Sequence, residues 1–342
     1  MRAILSLALL AVAAGAEEIR VEVLRGAPSA SVGDAEISAR GGGLRVDGRP
    51  VRQPFVVEGP VRLGGRSLPG RVEIWADDGI VAVNVLDLEE YVAAVVASEM
   101  PAGWPDDALR AQAVAARSYA MAQKLARGPR ARAHLGASVL DQVYGGKARG
   151  EGAVRAARST AGEVLTYRSA PIEAFFSASC GGVGESGEAA FNLAAGSAPW
   201  LPGGPDGDAD DPAPRLRWVV EKPLAEISAA LREAGRLRVR VRGLEVADRT
   251  GSGRARKLWV RTARARVPLA AVELRQILGW SELPSLLFDV RVESGSAIFS
   301  GRGSGHGAGL CQWGARGRAA RGEDYRSILA HYYPGTELRR MY

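Results

Sequence analysis

The chain has only two cysteines and three histidines among its 342 residues. Neither type occurs in a close pair such as C-x-x-C or H-E-x-x-H, so the spacings of common zinc sites are absent. No apolar run reaches the roughly 20 residues that cross a bilayer, which excludes a multi-span membrane protein. Lysine is also scarce, because all but four of the 45 basic residues are arginine. No internal repeat is present.

The N-terminus carries the pattern of a secretory signal peptide. Arg2 precedes an apolar run from Ala3 to Ala14, and Ala14-Gly15-Ala16 forms a cleavage site of small residues. We therefore expect residues 1–16 to be removed on export, which leaves a mature protein without a transmembrane span. The alternative is a buried first helix.

The composition predicts a folded and basic protein. Hydrophobic residues make up 46% and charged residues 24% of the chain, which is ordinary for globular proteins and excludes a fully disordered chain. The formal net charge is +7, so we expect attraction to an anionic polymer. Export makes an envelope polymer the expected partner, and we expect no nucleic acid.

Patterning along the chain predicts an α+β fold, with a helical core that β-rich segments surround. Residues 17–85 alternate apolar and polar positions between glycine-rich turns and are predicted to be β-rich. Residues 86–214 and 299–342 are predicted to form the two parts of a catalytic region. Residues 215–298 are predicted to be an inserted mixed α/β subdomain, in which Leu237–Arg242 alternates like a strand.

Glu99 is the most informative residue for chemistry. Leu88, Val92 and Val95 form the apolar stripe of a helix that Asp87 is expected to cap. Continuing this spacing reaches Glu99, which places a carboxyl on the apolar face in the last turn. Burial and the negative end of the helix dipole both favour the protonated acid, which is suited to proton transfer near neutral pH. The alternative is a hydrated carboxylate at a fraying helix end.

Two further motifs offer polar side chains with two interpretations each. Gln112, Arg117 and Tyr119 are the large polar groups of an alanine-rich helix, where they either serve the site or join helices by buried hydrogen bonds. Gln142 and Tyr144 lie in a glycine-containing loop. An amide and a phenol suit sugar hydroxyls and ring faces, and the alternative is an ordinary turn.

The cysteines and one histidine allow several kinds of site. Cys180 and Cys311 form a possible disulfide if the compartment is oxidising, and two thiols are the alternative. Cys180 is also a candidate nucleophile with His306 as its base, which gives a cysteine hydrolase as a minor hypothesis. Zinc requires Cys180, Cys311 and His306 to converge in the fold. His306 is flanked by glycines, which let backbone approach a ligand closely.

In the order and spacing of six motifs, the chain resembles the stage II sporulation protein D (SpoIID) / LytB family. The resemblance extends from about residue 80 to residue 338. The motifs are Leu88–Val92 with Ser98-Glu99-Met100-Pro101, Trp104-Pro105 with Ala108–Ala120, Asp141–Gly146, Ala174–Gly182, Gly303–Ala315 and Ile328–Thr336.

This resemblance implies an exported lytic transglycosylase of the periplasm or extracellular cell wall. Such an enzyme cleaves the MurNAc–GlcNAc bond of peptidoglycan strands without stem peptides and leaves a 1,6-anhydroMurNAc end. Glu99 of the S-E-M-P motif is implied as general acid and then base, in a cleft with His306 and Tyr144. The implied substrate contacts are Gln112, Arg117, Gln142, Tyr144, Ser179, His306 and Gln312.

The resemblance also has implications for the cofactor and the partner of the protein. No cofactor is expected, although some relatives bind zinc through histidine and cysteine near a strand–turn motif. Here that stretch is Ser177-Ala178-Ser179-Cys180 and has no histidine. The alternative function is a non-catalytic, wall-binding enhancer of a partner amidase.

Overall fold

The computed structural model describes residues 17–137, 142–207, 209 and 213–342. Its fold is mixed α+β, which confirms the predicted class. The expected signal peptide lies outside the described residues, as does Asp141 of the predicted site loop. No helix in these ranges is long and apolar enough to cross a membrane.

The N-terminal segment forms two sheets that share the main hydrophobic core. The five-stranded sheet has the order β11-β1-β10-β9-β6, and the six-stranded sheet has the order β5-β4-β3-β2-β7-β8. Along β10, Ile80 and Ala82 face this core, whereas Val81 and Val83 pack with Trp75 on the opposite face. The strands are β1 (Glu18–Ala27), β2 (Ser29–Val32), β3 (Ala35–Arg40), β4 (Gly43–Val46), β5 (Arg49–Val51), β6 (Phe55–Glu58), β7 (Val61–Leu63), β8 (Arg66–Leu68), β9 (Arg71–Asp77), β10 (Gly79–Asp87) and β11 (Leu135–Gly136).

Helices α1 (Leu88–Glu99), α2 (Asp106–Arg127) and α3 (Glu151–Ser159) form the centre of the molecule. Asp87 caps α1 by accepting hydrogen bonds from the N–H groups of Glu89 and Glu90. The alanine-rich α2 packs on both neighbours because its small side chains allow close approach. Short elements follow: β12 (Glu163–Tyr167), β13 (Ala170–Pro171), β14 (Phe176–Ser177), β15 (Val183–Gly184), α4 (Gly187–Phe191) and β16 (Gly204–Pro205).

Residues 217–302 form a unit with its own hydrophobic core. Two three-stranded sheets, β17-β22-β21 and β18-β19-β20, and two helices enclose Ile227, Leu258 and Phe299. The predicted strand Leu237–Arg242 is wrong, since Val239 is 53% exposed and no strand is formed there. The elements are β17 (Arg217–Pro223), α5 (Leu224–Glu233), β18 (Gly243–Arg249), β19 (Ala255–Arg261), β20 (Arg266–Ala270), α6 (Ala271–Leu278), β21 (Phe288–Glu293) and β22 (Ser296–Arg302).

The C-terminal segment returns to the main core. β23 (Leu310–Cys311) pairs in parallel with β14, and β24 (Glu337–Arg340) pairs antiparallel with β12. Between them, α7 (Gln312–Ala320) and α8 (Tyr325–Tyr332) pack on α2. The start of α7 therefore comes close to the end of α1.

Candidate active site around Glu99

Glu99 is the last residue of α1 and is half-buried. The helix ends there because the next residue, Met100, precedes Pro101, and a residue before proline favours extended backbone. The Met100 N–H still donates to the carbonyl of Val96 at 2.9 Å, so the last turn is intact. The Glu99 side chain thus projects from a fixed helix end rather than from a frayed one.

Each oxygen of the Glu99 carboxyl accepts one hydrogen bond. The Val143 N–H lies 3.2 Å from Oε1, and Gln312 Nε2 lies 3.0 Å from Oε2. Burial raises the pKa of Glu99 and outweighs these two hydrogen bonds, which lower it because they favour the ionised form. The net pKa is above the ordinary value for glutamate, so the acid stays protonated to a higher pH than an ordinary glutamate.

Two glutamine amides form a buried polar row beside the acid. Gln312 begins α7, and the Cys311 Sγ caps that helix by accepting from the Gly314 N–H at 3.3 Å. Gln312 Nε2 also lies 3.5 Å from the Oε1 of Gln112, a fully buried residue of α2. The Nε2 of Gln112 has no hydrogen-bond partner in the described part of the chain. The structure therefore brings both glutamines to Glu99, with Gln312 in direct contact.

Gln142 and Tyr144 flank Val143, and their side chains form hydrogen bonds within the protein. Gln142 is 2% exposed and accepts a hydrogen bond from the Tyr91 hydroxyl at 2.8 Å. Tyr144 is 1% exposed and donates to Asn84 Oδ1 at 2.6 Å. In this conformation both side chains are buried and bonded within the protein, and their expected contact with substrate stays a prediction. They anchor both sides of Val143, whose N–H binds the acid.

Arg117, an expected contact for substrate, is bonded within the protein in this structure. Its side chain is fully buried, and its Nε donates to Glu89 Oε1 at 2.8 Å. The guanidinium also donates to the carbonyls of Ala157 and Glu163 at 3.1 and 3.2 Å. Burial raises the pKa of Glu89, but the hydrogen bonds and charge of Arg117 prevail, and the net pKa is lowered. The alternative interpretation, that Arg117 joins helices, fits the structure.

His306 holds the glycine-rich segment to β14. Its Nε2 lies 2.9 Å from the Phe176 carbonyl, and its Nδ1 accepts from the Ala308 N–H at 3.1 Å. These partners fix the neutral tautomer with the proton on Nε2, and burial lowers the pKa of His306 to about 4. The ring contacts Phe191, and the expected cleft that groups His306 and Tyr144 with Glu99 stays a prediction.

Ser179 is also buried and bonded within the protein. It is 1% exposed, and its backbone N–H and carbonyl both pair with Ser304, at 3.0 and 2.8 Å. Its Oγ accepts from the Gly181 N–H at 3.3 Å. Ser179 therefore joins the strand–turn motif to the glycine-rich segment, and its expected contact with substrate is not supported by this burial.

The two cysteines converge with Asp206 rather than with His306. The two sulfur atoms and a carboxylate oxygen of Asp206 all lie within 4.8 Å of one another, and no disulfide joins the thiols. Two thiols and a carboxylate are ligand types that zinc accepts. However, Arg318 and His331 already bind the Asp206 carboxylate, at 3.1 and 2.9 Å. A zinc ion there would compete with a guanidinium cation, so these residues do not fit zinc.

The structure does not support the minor hypothesis of a cysteine hydrolase, in which His306 is the base for Cys180. Cys180 Sγ donates to Asp206 Oδ2 at 3.2 Å. Both ring nitrogens of His306 are engaged with backbone groups. His306 is therefore not available to deprotonate the thiol.

Trp104 and Trp313 lie in two of the motifs that carry the resemblance, but no role was predicted for them. Trp104 follows the α1 terminus, and Trp313 follows Gln312 in α7; their rings meet edge to face with centroids 4.8 Å apart. The Arg316 guanidinium lies 5.0 Å from the Trp313 ring and 5.9 Å from the Trp104 ring. All three side chains are partly exposed. Aromatic residues at separate places in the chain give no signal until the fold joins them.

Comparison with known proteins identifies two matched regions. Residues 76–167, which include Glu99, match the family model described as stage II sporulation protein. Residues 206–309 match a model described as a domain of unknown function (DUF8618), and this range contains the whole inserted unit.

Curated relatives extend the similarity over most of the chain. An uncharacterized protein of Brachyspira hyodysenteriae is 32% identical over 77% of this chain and 69% of its own length. Stage II sporulation protein D of Bacillus subtilis is 30% identical over 75% of this chain and 76% of its own length. The amidase enhancer of Bacillus subtilis is 27% identical, and the match covers 39% of that protein. The chain described here belongs to the stage II sporulation protein D family.

Proposed function

We propose that the protein is an exported lytic transglycosylase of peptidoglycan glycan strands. The single observation that carries the proposal is the position of Glu99, half-buried with two hydrogen-bond donors and with a pKa above its ordinary value. A raised pKa keeps a carboxyl protonated to higher pH, which suits it to give a proton to a leaving group.

In the proposed reaction one carboxyl serves twice. Protonated Glu99 donates its proton to the glycosidic oxygen, the bond from C1 of MurNAc to that oxygen breaks, and GlcNAc leaves with a free 4-hydroxyl. The ionised Glu99 then accepts the proton of the muramyl 6-hydroxyl while that oxygen bonds to C1. The nucleophile belongs to the substrate, so a second carboxyl, which ordinary glycosidases require, is not needed.

The charge and the N-terminal sequence support the location that this activity needs. The net charge of +7 favours an anionic envelope polymer, and residues 1–16 have the pattern of a signal peptide. We therefore propose that the protein acts in the periplasm or the extracellular wall, on glycan strands, and without a cofactor.

A second candidate is a non-catalytic enhancer of a partner amidase. The amidase enhancer of Bacillus subtilis is similar over 71% of this chain, which favours this candidate. In that case Glu99 would have no chemical task, and the protein would act by binding the wall and an amidase.

The experiment incubates the purified protein with glycan strands from which an amidase has removed the stem peptides. Mass spectrometry then detects 1,6-anhydroMurNAc ends. The wild type should produce them, Glu99→Gln should lower the rate by at least about 100-fold, and Cys180→Ser should retain it. Products from Glu99→Gln at the wild-type rate would refute the mechanism. An inactive wild type that accelerates an added amidase would support the second candidate.

A further inference from the structure

We propose that Trp104, Trp313 and Arg316 form a sugar-binding subsite, where Arg316 recognises a free carboxylate on the sugar ring. The ligand class is an N-acetylmuramyl unit whose lactyl carboxylate carries no peptide. This inference rests on the proposed function, and it assigns to these three residues the selection of strands without stem peptides.

The subsite adjoins the acid through short connections on both sides. Trp104 lies just past the α1 terminus that carries Glu99, and its N–H donates to the Pro101 carbonyl at 3.1 Å in the intervening turn. Trp313 directly follows Gln312, which donates to Glu99. Arg316 follows Gln312 by one turn of α7, and residues one turn apart share a helix face. We therefore expect a glycan strand that places a bond at Glu99 to extend over this aromatic pair.

Arg316 is a cation without a counter-ion among the residues that the structure describes. It makes no salt bridge and no hydrogen bond with any part of the chain that the structure describes, and only the two indole rings hold it. Its neighbours on α7 and α8 differ, since Arg318 pairs with Asp206 and Arg326 pairs with Glu163. A guanidinium fixed over tryptophan keeps its donors available for a planar anion.

The chemistry of the two surfaces selects one ligand class. Indole rings pack on the apolar faces of sugar rings, and a guanidinium pairs with a carboxylate through charge-assisted hydrogen bonds. In a strand that carries stem peptides the lactyl carboxylate is an amide and has no charge. Arg316 then loses its partner, so binding discriminates between the two kinds of strand.

The experiment measures binding in the Glu99→Gln background, where no cleavage confuses the affinity. The probes are peptide-free glycan strands and the same strands with every lactyl carboxylate converted to a methylamide. Isothermal titration calorimetry gives the ratio of the two affinities for each variant. Arg316→Gln and Trp313→Ala are compared with Arg264→Ala, a control at an exposed arginine of the inserted unit.

Arg316→Gln should lower affinity for the carboxylate strand about tenfold and leave affinity for the methylamide strand unchanged, which brings the ratio near one. Trp313→Ala should weaken both, and Arg264→Ala neither. The ratio is independent of the folded fraction, so a poorly folding variant still gives an answer. An unchanged ratio in Arg316→Gln overturns the inference. Failure to detect anhydro ends from the wild type would instead overturn the proposed activity and leave this result standing.

Discussion

At the Glu99 carboxyl, burial and hydrogen bonding act in opposite directions. Burial disfavours the charged form, whereas the N–H of Val143 and the amide of Gln312 both favour it. Burial prevails, so the pKa is raised. Since only the protonated acid can donate, the cleavage rate should fall as the pH rises through this pKa.

Removing one of the two hydrogen-bond donors to Glu99 should shift the alkaline limb of the pH–rate profile in a known direction. Gln312→Met keeps the length of the side chain but cannot stabilise the carboxylate, so the pKa of Glu99 rises further. The alkaline limb of kcat/KM against pH should move to higher pH, and the plateau rate should fall roughly tenfold because the acid loses its orientation. Gln112→Met is the matched control, since Gln112 contacts Gln312 but not Glu99. A limb that stays in place or moves to lower pH would contradict this role.

The sequence predicted Glu99 because its position continues an apolar helical stripe, and burial then follows from local geometry. The other candidates gave no such signal. A buried tyrosine that bonds to Asn84 and an exposed tyrosine that bonds to a sugar look the same in sequence. Arg117, Gln142 and Tyr144 were therefore assigned to substrate, although the fold uses their polar groups internally.

Helices α1, α2 and α3 are joined by one buried ion pair. Arg117 of α2 reaches Glu89 in the first turn of α1 and the Ala157 carbonyl in α3. The partner Glu89 also accepts from the Tyr342 hydroxyl at 2.6 Å, which ties the C-terminus to the same point. The pair therefore fixes the relative position of the elements that support Glu99.

Arg117→Met should destabilise the protein by about 3–5 kcal/mol, because Glu89 and two carbonyls lose their buried partner. Urea unfolding of the variant and of the wild type measures this difference. Glu89→Gln should lower the free energy of unfolding by a smaller amount, since an amide still accepts a hydrogen bond. If Arg117→Met left the free energy of unfolding unchanged and raised only KM, a contact with substrate would be the better account.

Elements with local signals were predictable and elements without them were not. The expected cap at Asp87 and the placement of Glu99 in the last turn agree with the bounds of α1. The alternation in Leu237–Arg242 predicted a strand that is absent, because alternation gives a strand only where a neighbour pairs with it. Strand β18 begins instead at Gly243, opposite Arg261 of β19.

At the scale of the whole molecule, separate motifs converge on one place. The ends of α1 and the start of α7 meet at the hydrogen bond between Glu99 and Gln312, which are far apart in the sequence. Their order in the chain gave the family resemblance, but it did not give the contact. The inserted unit has a separate core, and its residues take no part in the hydrogen bond between Glu99 and Gln312.

The most direct test of the account is the pKa of Glu99 in the folded protein. Selective ¹³C labelling of glutamate side chains, with the Glu99→Gln variant to assign the resonance, follows its carboxyl through a pH titration by NMR. The account predicts a midpoint above the ordinary glutamate value of 4.5. A midpoint at or below 4.5 would show that the hydrogen bonds outweigh burial, and that Glu99 does not hold the proton that the proposed reaction requires.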